Sequence, residues 1–428
     1  MKAVVLAAGE GQRLRPLTFT RPKHMIPIGG KPILEHLINA LKESGIEEIL
    51  LVVNYKAEMI KNYFGNGEKF KVKINYLVQR ETLGTADAIA TAEKYVNDEY
   101  FLAVNGDLLL SANAIKSVLE AHERNKPTIT LAAVQAEKPE HYGLLEIDGG
   151  RVIDILEKPS SGRASSNWVN AGIYVFSSEI FDFIKCTKPS ARGELEITDS
   201  IRLAIKEGRK VLSASISREE WLDIGRPWDL LDANMRVLKT VKQHFLGTIE
   251  EDAHVKGAVY VGENALIRSG SYIEGPVYIG DGSDIGPNCY IRPYTSIGRN
   301  VRIGNSCEVK NSIVMDNTRI GHLSYIGDSV IGEGCNLGAG TISANLRLDK
   351  KTIKMTIKGE LVDSGRKKIG VIMGDNVMTG VGTLFMPGVK VGNHSWVGPN
   401  IVVYRDVPPN TILILEQQIK RISGDFIQ

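Results

Sequence analysis

The fold of the second half of the chain is decided by residues 249–309, which read IEEDAHVKGAVYVGENALIRSGSYIEGPVYIGDGSDIGPNCYIRPYTSIGRNVRIGNSCEV. Eleven apolar residues in this stretch are spaced six apart without a slip: Ile249, Val255, Val261, Ile267, Ile273, Ile279, Ile285, Ile291, Ile297, Ile303 and Val309. An α-helix repeats every 3.6 residues and a strand alternates every two, so neither period demands this spacing. A six-residue repeat is typical of a parallel β-helix, in which short strands stack coil on coil.

Beyond Val309 this ladder of apolar residues slips and is then interrupted. The spacing of six resumes, after steps of other lengths, at Val314, Ile320 and Ile326, at Ile331 and Leu337, at Ile372, Met378 and Leu384, and at Val391, Val397 and Val403. A polar, lysine-rich insertion occupies residues 346–370. Interruptions in a solenoid usually become loops on one face, often the binding face.

The first half of the chain alternates short apolar runs with helical patterns. Ala3–Ala8 and Ile49–Val53 have the composition of buried strands. A helix is expected after Pro32, with a stop near Gly45. A further helix, Ala86–Tyr95, and a strand, Phe101–Val104, follow. This order predicts an α/β domain with a parallel sheet and with ligands at the carboxyl ends of the strands.

These patterns divide the chain into four parts. We predict an α/β domain over residues 1–228, a connecting helix over 229–248, a β-helix over 249–405 with the insertion 346–370, and a C-terminal tail over 406–428.

Composition excludes several classes of function. The 428 residues carry 52 Lys+Arg and 50 Asp+Glu, a net charge of +2, so we expect neither nucleic acid nor membrane as a partner. No apolar run approaches the ~20 residues of a membrane span, and we expect a soluble, cytoplasmic protein. The four cysteines lack metal or disulfide spacing. Cys307 and Cys335 could supply a thiol nucleophile, but packing inside the coils is the preferred interpretation.

A glycine-rich loop, Leu6–Pro16, follows the first predicted strand. Alone it favours a simple turn over a phosphate-binding loop, because it fits neither the Walker loop nor the dinucleotide pattern. Gly9 and Gly11 would nevertheless let backbone N–H groups approach a phosphate. Further motifs follow in order: Arg21-Pro22-Lys23, Gln79 before Leu83-Gly84-Thr85, Gly106-Asp107, Tyr142-Gly143, Glu157-Lys158, Asn170-Ala171-Gly172 and Trp221-Leu222-Asp223. The ordered set closely resembles the sugar-1-phosphate nucleotidylyltransferases, whose α/β domain is Rossmann-like, over about residues 1–230.

The resemblance implies a role for each matching residue. Arg13 and Lys23 would be catalytic and bind the triphosphate, and Asp107 and Asp223 would hold Mg²⁺. The nucleotide would also contact Leu6, Ala8, Gly9, Gly11, Gln79, Gly84 and Thr85, and the sugar phosphate would contact Tyr142, Gly143, Glu157, Lys158, Asn170 and Gly172.

A second polar cluster coincides with the break in the ladder. Transfer of an acetyl group from a thioester to an amine needs a base, oxyanion donors and cations for the acceptor's phosphate. His322 is the only histidine between His254 and His394. The segments around Arg292, Glu308-Val309-Lys310, 321–328 and 336–345 resemble the acetyltransferase half of bacterial bifunctional N-acetylglucosamine-1-phosphate uridylyltransferases, and also archaeal bifunctional enzymes.

This second resemblance implies a left-handed, trimeric β-helix that uses acetyl-CoA. His322 would be the general base. The acceptor would contact Arg292, Lys310, Tyr325, Asn336, Asn345, Lys351 and Lys354, and acetyl-CoA would contact Ala339, Val381 and Arg405. Val381 stands where a serine is usual, and the insertion departs from the bacterial pattern. It is either a solvated hairpin or a cationic lip for phosphates.

Three functions therefore compete. The preferred one acetylates an amino-sugar 1-phosphate and couples a sugar 1-phosphate to UTP or dTTP. The second keeps only nucleotidyl transfer and uses the β-helix for assembly, as in ADP-glucose and GDP-mannose pyrophosphorylases. The third is a non-catalytic subunit of a translation-initiation nucleotide-exchange factor, which the intact Gly9-to-Lys23 loop and both aspartates disfavour.

Overall fold

A computed structural model describes residues 1–96, 100–157 and 166–421. The chain forms two compact units, one of residues 1–14 and 21–233 and the other of residues 15–20 and the chain from Asn234 onward. Among the described residues, no helix combines the length and the apolar character needed to cross a bilayer.

The first unit is built on a nine-stranded mixed sheet. The strands of the whole unit, including two small sheets, are β1 (Lys2–Ala7), β2 (Pro27–Ile28), β3 (Lys31–Pro32), β4 (Glu48–Val53), β5 (Lys73–Val78), β6 (Tyr100–Asn105), β7 (Leu108–Leu110), β8 (Ile129–Gln135), β9 (Gly143–Asp148), β10 (Arg151–Glu157), β11 (Trp168–Ser177), β12 (Val211–Ser215) and β13 (Trp221–Asp223). The main sheet has the order β5-β4-β1-β6-β11-β8-β12-β10-β9, and β2–β3 and β7–β13 form two small sheets.

Among the described residues, the α-helices are α1 (Ile33–Glu43), α2 (Ala57–Phe64), α3 (Thr85–Ala90), α4 (Ala112–Asn125), α5 (Ile180–Cys186), α6 (Ile197–Lys206) and α7 (Pro227–Leu238). The apolar residues of α1 that share one face, including Leu34, Leu37 and Leu41, are fully buried, because the 3.6-residue period turns them toward the sheet. Strand β1 is buried along most of its length, as a central parallel strand must be.

The structure corrects two details of the first unit. The sheet is not all parallel: β11 runs antiparallel to both β6 and β8, and β10 runs antiparallel to β9 and β12. A hairpin such as β9–β10 has no crossover helix, so its strands can pair only antiparallel. The connecting helix α7 ends at Leu238, and the strand His244–Phe245 already belongs to the second unit.

The second unit is a parallel β-helix with three faces. Face 1 contains His244–Phe245, Val259–Val261, Val277–Ile279, Thr295–Ile297, Ile313–Val314, Val330–Ile331, Ile372–Met373 and Lys390–Val391. Face 2 contains Thr248–Ile249, Leu266–Ile267, Asp284–Ile285, Arg302–Asn305, Arg319–His322, Asn336–Leu337, Met378–Thr379, Trp396–Val397 and Ile412–Leu413. Face 3 contains His254–Lys256, Tyr272–Glu274, Tyr290–Ile291, Glu308–Lys310, Tyr325–Gly327, Ile342–Ser343, Leu384–Phe385 and Val402–Val403.

The hexapeptide ladder forms the core of this β-helix. Its residues from Val261 to Val309 are fully buried. Cys289, Cys307 and Cys335 are buried in the same core, and burial raises the pKa of the Cys289 and Cys335 thiols to about 12. Because a thiolate is the reactive form, the thiols act as packing residues, as expected.

One part of the predicted ladder is wrong by a single residue. The inward positions after the insertion are Met373, Thr379 and Phe385, which pair with the inward residues of the preceding coil. Met378 instead points outward and is 43% exposed. In the strands Ile372–Met373 and Leu384–Phe385 both residues are apolar, so the hydrophobic pattern did not show which of the two points inward.

The insertion folds into a hairpin with one buried side. Lys354–Ile357 pairs antiparallel with Glu360–Asp363, and Ile353, Met355 and Ile357 are buried. A Cβ placed on Gly388 would lie 2.6 Å from Ile353 Cγ2, which shows how closely the hairpin packs on the coils. The insertion is therefore a hairpin, as one interpretation predicted, but only its outer side meets solvent.

Candidate active sites

The first site begins where β1 and β6 end side by side. The backbone N–H of Gly106 donates to the carbonyl oxygen of Leu6 over 2.9 Å. Beside this bond, Lys23 forms an ion pair with Asp107, and a Cβ placed on Gly9 would lie 3.8 Å from Lys23 Cε. The structure thus brings the glycine-rich loop, the lysine and the aspartate together at the carboxyl edge of the parallel strands.

Asp107 and Asp223 are brought together by the small β7–β13 sheet. Leu108, the residue after Asp107, pairs with Asp223, and Ile224 N–H donates to the carbonyl oxygen of Asp107 over 3.1 Å. Burial opposes ionisation of Asp107, but the charges of Lys23, His24 and Arg13 lower its pKa below the ordinary value. Asp107 is therefore a buried carboxylate rather than a carboxylic acid.

These two carboxylates fit a magnesium ion. Hard oxygen ligands suit Mg²⁺, which usually takes one or two carboxylates and completes its shell with water and substrate phosphate. Within the described ranges no group of three or more His, Cys, Asp or Glu side chains could hold a metal. An all-protein cage is therefore absent from that part of the chain, and Asp107 and Asp223 are the carboxylates that would hold the ion.

Arg13 reaches the same edge from the glycine-rich loop. A Cβ placed on Gly225 would lie 3.0 Å from one terminal guanidinium nitrogen of Arg13, so a side chain at this position would require the guanidinium to shift. The backbone N–H groups of Gly225 and Arg226 donate to the Asp229 carboxylate over 3.1 and 2.7 Å. Burial, followed by the charge of Asp223, raises the pKa of Asp229 to about 7.

Asp229 is a site-supporting residue that the sequence interpretation missed. It stands in the first turn of α7, just after Pro227. An acidic residue at that position is a known helix-start signal, which could have identified it.

The residues predicted to contact the base meet around α3. Gln79 is buried, and its side-chain nitrogen donates to the Gly84 carbonyl over 3.2 Å and to Asp87 over 2.7 Å. Thr85 Oγ1 accepts the N–H of Ile197 over 2.9 Å. These hydrogen bonds join the start of α3 to the start of α6. Gln79 is held between the end of β5 and helix α3.

Gly84 is the tightest point of this arrangement. Its φ is +137°, and a Cβ there would lie 2.6 Å from the backbone nitrogen of Leu195. We expect Gly84→Ala to lower kcat/KM for nucleotidyl transfer by about 10²-fold, the usual effect of misplacing positioning groups by about 1 Å. Steady-state kinetics with varied nucleoside triphosphate would measure it.

Gly208→Ala is the matched control for that substitution. Gly208 also has a left-handed φ of +76°, but a Cβ there would meet nothing within 4 Å. It should cost about 1–2 kcal/mol of stability and leave kcat/KM unchanged. Equal kinetic losses in both variants would contradict the positional role of Gly84.

The predicted sugar contacts converge on Gly143. Gly143 pairs with Glu157 across the β9–β10 hairpin, and a Cβ on it would lie 3.2 Å from Glu157 Oε2 and 3.4 Å from Asn170 Cβ. Asn170 Oδ1 accepts the N–H of Gly172 over 3.1 Å. The Tyr142 ring packs edge-on against Trp221, with centroids 5.5 Å apart. Lys158 lies outside the described residues.

Arg192 is a second residue that the sequence interpretation missed. Its guanidinium lies 3.0 Å from Glu196, 3.3 Å from Glu194 and 3.7 Å from Glu157. Arg192 therefore connects Glu157, which lies beside Gly143, to the segment that contains Leu195, whose backbone lies beside Gly84. The charged run Arg192-Gly-Glu-Leu-Glu before α6 was the available sequence signal.

The second site lies on face 3 of the β-helix. We call Arg292, Lys310, Tyr325 and Asn345 the face-3 cluster. Arg292 donates to Glu308 over 2.7 Å, and Glu308 is the register partner of Tyr325. Asn345 Nδ2 donates to the Tyr325 hydroxyl over 3.1 Å, and burial raises the pKa of that hydroxyl.

His322 and Asn336 lie on face 2, separate from this cluster. His322 ends the strand Arg319–His322 and Asn336 begins the strand Asn336–Leu337; both are exposed. Ser324 Oγ donates to the His322 carbonyl over 2.8 Å and fixes the corner before Tyr325. In the described part of the chain, neither side chain hydrogen-bonds to the face-3 cluster.

The remaining predicted contacts spread over later coils. The N–H of Gly382 donates to the Ala339 carbonyl and the N–H of Asn400 donates to the Val381 carbonyl, each over 2.8 Å. These residues therefore share one stacked corner. Arg405 is exposed after the strand Val402–Val403.

Lys351 and Lys354 are exposed on the insertion. Over residues 1–96, 100–157 and 166–421, no hydrogen bond joins their side chains to the face-3 cluster.

The insertion leaves from this cluster and returns to it. It begins directly after Asn345, and Leu346 bridges Lys368 where the two ends meet. The N–H of Ile369 then donates to the Asn345 carbonyl over 3.0 Å, and the N–H of Gly370 donates to the Asp328 carbonyl over 2.8 Å. Both ends of the segment are therefore fixed at the second site.

An α/β unit in which Lys23, Asp107 and Asp223 lie together, followed by a hexapeptide β-helix with its own polar cluster, defines a two-domain transferase. The family described as "Nucleotidyl transferase" matches residues 2–240. In the second half, "GMPPB C-terminal domain" matches residues 273–380 and "Hexapeptide repeat of succinyl-transferase" matches residues 370–405.

The chain belongs to the family of bifunctional sugar-1-phosphate nucleotidylyltransferases/acetyltransferases, as the sequence indicated. It is 46% identical over 420 residues to the bifunctional protein GlmU of Methanocaldococcus jannaschii, with 98% of each chain covered. It is 43% identical over 412 residues to a bifunctional sugar-1-phosphate nucleotidylyltransferase/acetyltransferase of Sulfurisphaera tokodaii, covering 95% of this chain and 98% of the other.

The first unit is also similar to a solved structure. UDP-glucose pyrophosphorylase complexed with UDP-glucose aligns with a TM-score of 0.51 and 25% identity, covering 56% of this chain and 98% of that one.

Proposed function

We propose that this protein acetylates an amino-sugar 1-phosphate with acetyl-CoA and couples a sugar 1-phosphate to UTP or dTTP. The acceptor would be glucosamine 1-phosphate or galactosamine 1-phosphate, and the coupled sugar N-acetylglucosamine 1-phosphate or glucose 1-phosphate. The product would be a nucleotide sugar such as UDP-N-acetylglucosamine. This proposal rests on one observation. The same chain contains the Lys23–Asp107 ion pair, with Asp223 on the neighbouring strand, and also the face-3 cluster.

In nucleotidyl transfer, a sugar-phosphate oxygen attacks the α-phosphorus in line and pyrophosphate leaves. Arg13 and Lys23 would neutralise the triphosphate, while Gln79 and the start of α3 orient the base. Asp107 and Asp223 would hold Mg²⁺, whose charge, when it is bound, offsets that of the phosphates. The groups around Gly143 would hold the sugar, consistent with a reaction governed by positioning.

In acetyl transfer, His322 would accept a proton from the amino group as the nitrogen attacks the thioester carbonyl. The tetrahedral intermediate then collapses, the carbon–sulfur bond breaks, and coenzyme A leaves as the thiolate, which takes up a proton. Arg292 and Lys310 would bind the acceptor's phosphate. Tyr325, Asn336 and Asn345 would orient the amino sugar and the acetyl group, and acetyl-CoA would pass Ala339 and Val381.

We also propose that the protein works as a homotrimer through the β-helix. Support comes from the separation of His322 and Asn336, on face 2, from the face-3 cluster, because a neighbouring subunit could then complete the site. Mass measured at low protein concentration alongside acetyl transfer tests this. An active monomer would refute it.

The alternative of nucleotidyl transfer alone has some support from the "GMPPB C-terminal domain" match over residues 273–380. A matrix of nucleoside triphosphates and sugar 1-phosphates, with and without acetyl-CoA, separates the two functions. We expect coenzyme A release with an amino-sugar 1-phosphate and pyrophosphate release with UTP or dTTP. Pyrophosphate release without any coenzyme A release would favour the alternative.

A further inference from the structure

Asp328 is a buried carboxylate at the centre of the second site. It follows the strand Tyr325–Gly327 and is 3% exposed. Three side chains face it: Asn311 Nδ2 donates to Oδ1 over 2.7 Å, Asn345 Nδ2 donates to Oδ2, and Lys310 Nζ lies 3.5 Å from Oδ2. A buried carboxylate this well satisfied holds its partners in one arrangement.

The backbone of Asp328 fixes the same surroundings. Its N–H donates to the Lys310 carbonyl over 2.9 Å, and its carbonyl accepts the N–H of Gly370 over 2.8 Å. Asp328 therefore connects three segments: the coil that contains Lys310, the end of the coil that contains Asn345, and the C-terminal end of the insertion.

The carboxylate also determines which atoms the site offers to a substrate. A carboxylate accepts hydrogen bonds and does not donate, so the Asn345 atom that faces Asp328 must be the amide nitrogen. That nitrogen also donates to the Tyr325 hydroxyl over 3.1 Å. Asn345 is then left with its carbonyl oxygen, which is an acceptor, and Tyr325 is left with its O–H hydrogen, which is a donor.

We infer that Asp328 is the positioning residue of the acetyl-transfer site. It holds the Lys310 ammonium and sets the polarity of Asn345 and Tyr325, so that Asn345 accepts a hydrogen bond from the substrate amine and Tyr325 donates one to a substrate oxygen. This inference rests on the proposed acetyl transfer and adds to it a direction for each hydrogen bond.

The test is Asp328→Asn, compared with Asp375→Asn as the matched control. Asp375 is also buried in a β-helix corner, at 5% exposure, and its carboxylate accepts the N–H of Glu333 over 2.8 Å. We expect Asp328→Asn to lower acetyl-transfer kcat/KM by about 10- to 100-fold and to raise the KM for the amino-sugar phosphate. The KM for acetyl-CoA and nucleotidyl transfer should stay unchanged. Asp375→Asn should change only thermal stability.

Several outcomes would overturn the inference. If wild-type protein acetylates the amino sugar and both variants keep that activity, Asp328 does not position the site. If the wild type releases no coenzyme A with any amino-sugar phosphate, the proposed function itself fails.

A second measurement leaves Asp328 in place, for the case in which Asp328→Asn does not fold. Lys310→Met and Asn345→Ala are combined in a double-mutant cycle. Because one carboxylate holds both side chains, their effects on kcat/KM should be less than multiplicative. Fully multiplicative effects would contradict the shared role of Asp328.

Discussion

His322→Ala will abolish acetyl transfer and leave nucleotidyl transfer intact. Loss of a general base typically lowers the rate about 10²- to 10⁴-fold, and no other histidine stands between His254 and His394 to replace it. Lys23, Asp107 and Asp223 should be unaffected because they belong to the other compact unit of the chain. Coenzyme A release and pyrophosphate release, measured on the same preparation, would check both halves of this expectation.

His394→Ala provides the control for that variant. His394 is another exposed histidine of the β-helix, and its replacement should change neither activity. Equal loss of both activities in His322→Ala would point to misfolding, and retained acetylation would exclude His322 as the base.

Asp107→Asn will produce the converse result, with nucleotidyl transfer reduced and acetyl transfer retained. The change removes the ion pair with Lys23 and one of the two carboxylates proposed to hold Mg²⁺. We expect kcat to fall about 10²- to 10³-fold, the size of effect seen when one preorganised electrostatic group is lost. Pyrophosphate release over a range of Mg²⁺ concentrations would measure it.

Asp154→Asn is a suitable comparison. Asp154 also forms an ion pair, with Arg202 over 2.8 Å, but it lies in β10 rather than beside β6 and β7. Its loss should leave kcat unchanged. Near-normal nucleotidyl transfer by Asp107→Asn would remove the metal assignment.

Much of the fold follows from local pattern. The six-residue spacing predicted the β-helix because each inward residue must fill the same narrow core, coil after coil. The apolar stripe after Pro32 predicted α1 for a comparable reason. The antiparallel direction of β11 could not be predicted in this way, since a buried strand has the same composition in either direction.

The sites were predictable to a smaller extent. Ordered motifs identified residues such as Lys23 and Tyr325 through resemblance, and the structure brings most of them into two groups. Asp229, Arg192 and Asp328 were missed because charged residues are normally solvated, so neither a helix-start signal nor a charged run by itself indicates a site. Only tertiary contacts show which carboxylates are buried and which side chains they hold.

The returning insertion has a consequence for how this family can diversify. The coil-to-coil offset is 17 residues from Ile313 to Val330 and 42 from Val330 to Ile372. Lengthening a loop from 17 to 42 residues costs only about 0.8 kcal/mol of closure entropy. A segment of new composition can therefore be added beside Asn345 while the strands of the neighbouring coils stay paired in the same register. Such an architecture can take up a new loop at this corner with little risk to folding.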